Sequence, residues 1–373
     1  MLKEDIQKQI IAAKQDAHDE TIWGKPANDI ITGIGNNSGV RPQRAIWEMV
    51  QNARDVAASK AKTDIIFERQ HNNFIFQHNG IPFTNKTLEA LILQTSSKAR
   101  NDSVQVGQYG TGFLTTHKLG LKFLLSGSVQ LLEGQPLFHH FTDFLVDRSS
   151  TDKKQMRDSL KKQIETTEEW ARNPDIKNYP SSSTTFRYIQ EHDVEKTNTK
   201  EAFNAATTLA PYVIALNPCI NSISFIDKIE DRKETYTRKS TETITTSNLY
   251  NVVKITIEKC ITECHDFTVL MLQSNEFVKE NGEPKVIVIL PLREQKGTTI
   301  AFALRKDIPN LFIYLPLLGT EQWGLNFILH SPLFTCDKDS RDSLRFIGNG
   351  QNNDADAERN KEIVQLADVI ISH

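Results

Sequence analysis

Beginning at Ile220, eight strand-like segments follow one another, at 220–226, 234–246, 251–258, 266–273, 285–291, 298–304, 311–317 and 325–330. Such a run has to pair into sheet, because a lone strand leaves its backbone N–H and C=O groups without partners. One helix-like stretch, Thr199 to Leu216, precedes it, and before that the chain mixes helical and strand periodicity. A mixed unit followed by a strand-rich unit argues for two domains with a boundary near 190–200.

The mixed unit begins with a polar helix over 3–20. Gly24, Pro26 and the glycines from 33 to 39 break any periodicity, so 22–39 reads as loop. Pro42 is placed to open the next helix, which runs to about residue 60. Segments 64–69 and 73–77 read as a hairpin, left by the turn His78-Asn-Gly80-Ile-Pro82-Phe. A short apolar helix over 87–94, a polar loop over 95–108 and a helix over 113–119 follow. Strands are expected at 122–126, 128–132, 139–144 and 183–189. The charged helix 152–173 reads as an exposed insertion. Near the C-terminus, Ile363, Leu366, Ala367, Ile370 and Ile371 recur at helical spacing. The chain stops there at His373, which suggests the N-terminal part of a longer protein.

Charge and cysteine usage narrow the classes. Net charge is −3 with dispersed Lys and Arg, so nucleic acid is an unlikely partner. No apolar run approaches the ~20 residues of a membrane span, and the start Met1-Leu-Lys-Glu-Asp is charged, which points to the cytoplasm. Cys260 and Cys264, with His265, invite a metal reading, but no second ligand pair has zinc spacing. Cys219, Cys260, Cys264 and Cys336 are expected as free thiols.

The chemistry concentrates in Glu48-Met-Val-Gln-Asn52-Ala-Arg-Asp55. On a helix these three polar residues fall within one arc, while Met49, Val50, Ala53, Val56 and Ala57 fall on the other. Glu48 is the natural general base for an attacking water. Asn52, one turn on, can give an amide oxygen to Mg2+. Asp55 could order the base, a water or a nucleotide. About fifty residues later, Gly107, Gly110 and Gly112 open a helix, where bare backbone and free N–H groups suit a phosphate. Lys98 is a cation for the same phosphates.

These residues resemble the GHKL ATPases, which include heat-shock protein 90, MutL, type II topoisomerases and histidine kinases. Glu48, Asn52 and Asp55 look like the N box of that superfamily. Gly107-Gln108-Tyr109-Gly110-Thr111-Gly112-Phe113 looks like its second glycine box, and Thr95-Ser-Ser-Lys98 like the start of its ATP lid. Ser183-Thr184-Thr185-Phe186 resembles the last box, whose threonine touches the adenine pocket. His78 and Gly80 belong to a turn most similar to the sacsin-like branch, with His78 where an adenine-binding aspartate is usual. The resemblance implies an α/β two-layer sandwich of GHKL (Bergerat) type over 1–195, with a lid over about 95–112. A transducer-like α+β domain over 196–350 would follow, then a linker and helix start over 351–373. It implies ATP and Mg2+ as ligands, slow ATP hydrolysis, lid closure and an ATP-dependent homodimer acting as a clamp. Arg341, or Lys338 beside it, would reach the γ-phosphate. A chaperone-like or defence-related role, with a protein client or C-terminal effector domain, fits such a protein. The alternatives are a nucleotide-sensing module that does not hydrolyse, and a DNA-associated clamp of the MutL or microrchidia type.

Overall fold

The computed structural model describes residues 3–57, 62–94, 112–295, 298–337, 343–346 and 354–372. Lys98, Gly107, Gln108, Tyr109, Gly110, Thr111, Lys338 and Arg341 lie outside them. By its internal contacts the chain divides into two compact units, 1–58 with 66–203, and 59–65 with 204–373.

The first unit holds α1 (Lys3–Asn36), α2 (Gln43–Asp55), the end of β1 (Thr63–Arg69) from residue 66 on, β2 (Asn73–His78), β3 (Phe83–Thr84) and α3 (Asn85–Leu93). A 3-10 turn over Gly112–Leu119 follows. Then come β4 (Lys122–Gln130), β5 (Phe138–Asp147), α4 (Lys153–Arg172), β6 (Ile176–Lys177), β7 (Thr184–Ile189) and the start of α5 (Asp193–Leu216). Its strands run in the order β1-β2-β7-β4-β5-β6, with β3 parallel to β4. Alternate residues of β1 and β2 are buried, so Phe67, Phe74 and Phe76 point to one core. They stack there with Phe123, Phe186 and Tyr188 at ring separations of 5.2 to 6.5 Å.

Two expectations for this unit are corrected. Residues 22–36 continue α1 through Pro26 instead of forming loop. Gly24, Ala27 and Ile30 are buried at helical spacing, and Leu114 sits against Gly33, so packing outweighs weak local propensity. Nor is α4 an exposed insertion. Met156, Leu160 and Ile164 are buried, one turn apart. Its cations meet α1: Arg157 with Asp16 and Glu20, Lys161 with Asp19 at 3.0 Å, and Lys153 with Glu20 at 2.5 Å.

The second unit holds the rest of α5, β8 (Ile220–Asp227), β9 (Arg232–Thr246), β10 (Tyr250–Cys260), β11 (Cys264–Ser274), β12 (Ile287–Gln295), β13 (Thr298–Ala301), β14 (Leu311–Ile313), β15 (Leu315–Pro316), β16 (Ile328–His330) and α6 (Ala355–Ser372). The order is β8-β9-β10-β11-β12-β16-β14-β15, with β13 on β12. All pairings here are antiparallel except β14 with β16. Ile363, Ala367 and Ile370 of α6 pack with Val286, Val288, Leu311 and Leu329. The Asn360 amide bonds the backbone of Thr335 and Arg345 and locks the helix there.

The fold class differs from the two-layer α/β sandwich of GHKL type. Among the described residues, sixteen strands stand against six α-helices, and the architecture is a mixed, sheet-dominated one. Two physical reasons stand out. The element after Gly112 is a 3-10 turn, and α1 and α4 pair with each other through ion pairs. Among the described residues, no helix is long and apolar enough to cross a membrane.

Cys260 and Cys264 are not free thiols. They face each other across the β10–β11 hairpin, Cα to Cα 4.0 Å, and form a disulfide. The register that pairs them is a tertiary fact that cysteine spacing alone does not carry. Thiol titration of the unfolded chain should find two thiols, Cys219 and Cys336, without reductant and four after it. Four without reductant would mean that the bond does not form.

Candidate active site

The site is organised by α2. Pro42 precedes its first residue, and Ala45, Ile46, Met49, Val50 and Ala53 are fully buried. That packing leaves Glu48, Asn52 and Asp55 as a half-buried polar stripe. The helix stops at Asp55 and not near 60. Val56 leaves helical geometry at ψ 13°, with its N–H still bonded to Asn52 O at 3.2 Å.

At the Glu48 end, α2 packs on the 3-10 turn. A Cβ on Gly112 would lie 2.1 Å from Glu48 Oε2, so the carboxylate occupies space that only glycine leaves. Arg44 Nε donates to Glu48 Oε1 at 3.3 Å from one turn before. The turn is tightened by Thr115 and Thr116, whose hydroxyls donate to Gly112 O and Phe113 O, each at 2.7 Å. Phe113 packs on Phe123 and Phe186, each at 5.9 Å, and so anchors the start of the turn in the aromatic core. Asp55 is nearly buried, with Arg54 Nη1 3.8 Å from its Oδ1.

At the other end, Val56 O accepts from Ile81 N at 2.8 Å, and a Cβ on Gly80 would approach it to 2.6 Å. The turn leaving β2 is thus fastened to the end of α2. His78 lies opposite Thr184 in the β2–β7 ladder. Gly127 sits beside Thr184, where a Cβ would come within 3.4 Å of the threonine hydroxyl. His78 packs beside Phe76 and Phe186, at 5.4 and 6.4 Å, and those two rings are 5.4 Å from each other. At the 1.5 Å rise of a helix, the eight residues from Glu48 to Val56 set the two ends about 12 Å apart.

The structure therefore brings Glu48 to Gly112, His78 and Gly80 to the end of α2, and Thr184 to His78. A carboxylate and an amide one helical turn apart are oxygen donors of the kind a hydrated divalent cation takes. Among the described residues, the group of three potential ligand side chains close enough to share a metal ion is Glu258, Cys260 and Cys264, whose sulfurs are already bonded to each other.

Sequence reasoning missed two residues. His117 is buried in the 3-10 turn, and between Thr116 and Lys118 it carried no sequence signal of that. Arg148 is buried, with Nη2 on Ile92 O at the C-terminus of α3, and burial draws its guanidinium down to about 10. Burial first, then the nearby Arg148 charge, push His117 down to about 3 against the Gly120 carbonyl. Burial alone pushes His78 down to about 4.

Both rings are neutral when folded and take up a proton on unfolding below about pH 6.5. Stability is then complete above about pH 6.5. It falls as pH drops toward 4 for His78 and 3 for His117, by about 1.4 kcal/mol per pH unit for each ring. Urea unfolding at about pH 7 and about pH 5 reads this, and His117→Gln should remove one ring's share of the slope. An unchanged slope in that variant would rule out a neutral buried His117.

No protein-family model matches this chain, and no curated protein matches it.

Proposed function

We propose that this chain binds a nucleoside triphosphate with Mg2+ and hydrolyses it slowly, ATP being the nucleotide that the order of its motifs implies. The observation that supports this most is α2 itself. One end sets the Glu48 carboxylate against the Gly112 backbone, and the other fixes the turn of His78 and Gly80. In this reading a water attacks the γ-phosphorus, the bond to the bridging oxygen breaks, and Glu48 takes the proton of the water. Asn52 would hold Mg2+ through its amide oxygen, and the chemistry Mg2+ supplies when bound is neutralisation of charge on the phosphate oxygens. Asp55 would order the polar stripe, and Thr184 would face the base beside His78.

A binding module without turnover gains from one contact. Arg44 at 3.3 Å places a positive charge on the proposed base. Phosphate release decides between the two readings. A DNA-associated clamp gains nothing from a chain of net charge −3. A cytoplasmic setting belongs to the same reading, and the Cys260–Cys264 bond is the feature that weighs against a reducing compartment.

The test is thermal unfolding with and without Mg2+ and nucleotide, followed by phosphate release at saturation. A ligand at a hundred times its Kd stabilises the fold by about 2.7 kcal/mol, a readily measured rise in Tm. A chain whose Tm ignores every nucleoside triphosphate would sink the proposal.

A further inference from the structure

The ring of His78 has a fixed hydrogen-bonding polarity that phosphate chemistry does not use. Gly80 N donates to Nδ1 at 3.2 Å, so Nδ1 is the nitrogen with the lone pair. The donor cannot easily turn away. Gly80 is wedged against Val56, with no room for even a Cβ, and Ile81 N is tied to the same Val56 carbonyl. The ring packs beside Phe76 and Phe186 and is 6% exposed, and burial keeps it neutral. A neutral imidazole that accepts at Nδ1 carries its proton on Nε2. Among the described residues, the ring forms no other hydrogen bond, so the Nε2 proton is there to be given.

This polarity decides which purine fits. The 6-amino group of adenine presents N–H donors, and a second donor facing it leaves both unpaired in a buried place. The 6-oxo group of guanine or hypoxanthine presents an acceptor. We propose that His78 selects a 6-oxopurine nucleotide over an adenine nucleotide. The inference rests on the nucleotide-binding reading above and revises the base that the motifs imply. Thr184, the cross-strand neighbour, has a hydroxyl that can donate or accept and so suits either base.

The test is the Kd of GTP, ITP and ATP for the full chain, each with Mg2+, in the wild type and in His78→Asp. In the wild type GTP and ITP should both bind about tenfold or more tightly than ATP. ITP lacks the 2-amino group of guanine, so parity between the two assigns the preference to the 6-position. In His78→Asp the order should reverse, because a carboxylate accepts from the 6-amino group. Wild-type binding in which ATP equals or exceeds GTP overturns the inference and leaves the nucleotide site standing. Absence of binding by all three ends both. Should His78→Asp fail to fold, the nitrogen-15 spectrum of the wild type decides. A proton on Nε2 of His78 is expected, and one on Nδ1 would overturn the assignment.

Discussion

Glu48→Ala is expected to cut phosphate release by about 100-fold or more while leaving nucleotide affinity nearly unchanged. The carboxylate sits 14% exposed at the joint between α2 and the 3-10 turn, where a water against a phosphate would meet it. Removing it takes away the proton acceptor and none of the groups at the His78 end. Its pairing with Arg44 is a partly screened contact, so the fold should lose only about 1 kcal/mol. Glu48→Gln keeps the shape and should be equally slow, which separates proton acceptance from packing. Wild-type turnover in both variants would remove Glu48 from the chemistry and favour the binding-only reading.

Gly112→Ala is the second large effect, and its signature is different. The added methyl carbon would lie 2.1 Å from Glu48 Oε2 and 2.7 Å from its Cδ. Those atoms end a flexible side chain, so the carboxylate swings aside and the fold survives with a small change in Tm. Catalysis tolerates such a shift poorly, because misplacing a reacting group by about 1 Å costs on the order of 100-fold. Phosphate release should fall by about that factor, with nucleotide still raising Tm. Unchanged turnover would show that the contact between Glu48 and Gly112 is incidental.

Elements whose evidence lies in local period were legible from sequence. The arc of α2 with Met49, Val50 and Ala53 buried, the hairpin of β1 and β2, and the spacing of Ile363, Ala367 and Ile370 in α6 all follow from it. Elements decided by partners were not. Gly24 and Pro26 read as breakers because their compensation is the packing of Ala27 and Ile30, and of Leu114 on Gly33. The charge on α4 read as solvent-facing because Asp16, Asp19 and Glu20 stand some 140 residues away in sequence. The class of the fold failed for the same reason, since motif order does not say whether helices lie on a sheet or on each other. Glu48, Asn52 and Asp55 stood out as a candidate stripe from helical spacing, whereas His78, Gly80 and Thr184 were candidates through resemblance alone. His117 and Arg148 carried no such spacing and became visible only through burial.

One stiff helix fastened at both extremities also behaves as a lever. In the proposed nucleotide-binding reading, whatever grips a purine near Val56 would steady the carboxylate eight residues upstream, because α2 is one continuous helix between them. Inorganic triphosphate, which has nothing to grip there, should react sluggishly even when it saturates the site, because remote contacts supply orientation as well as affinity. Discrimination between nucleobases would then register in kcat and not in KM alone.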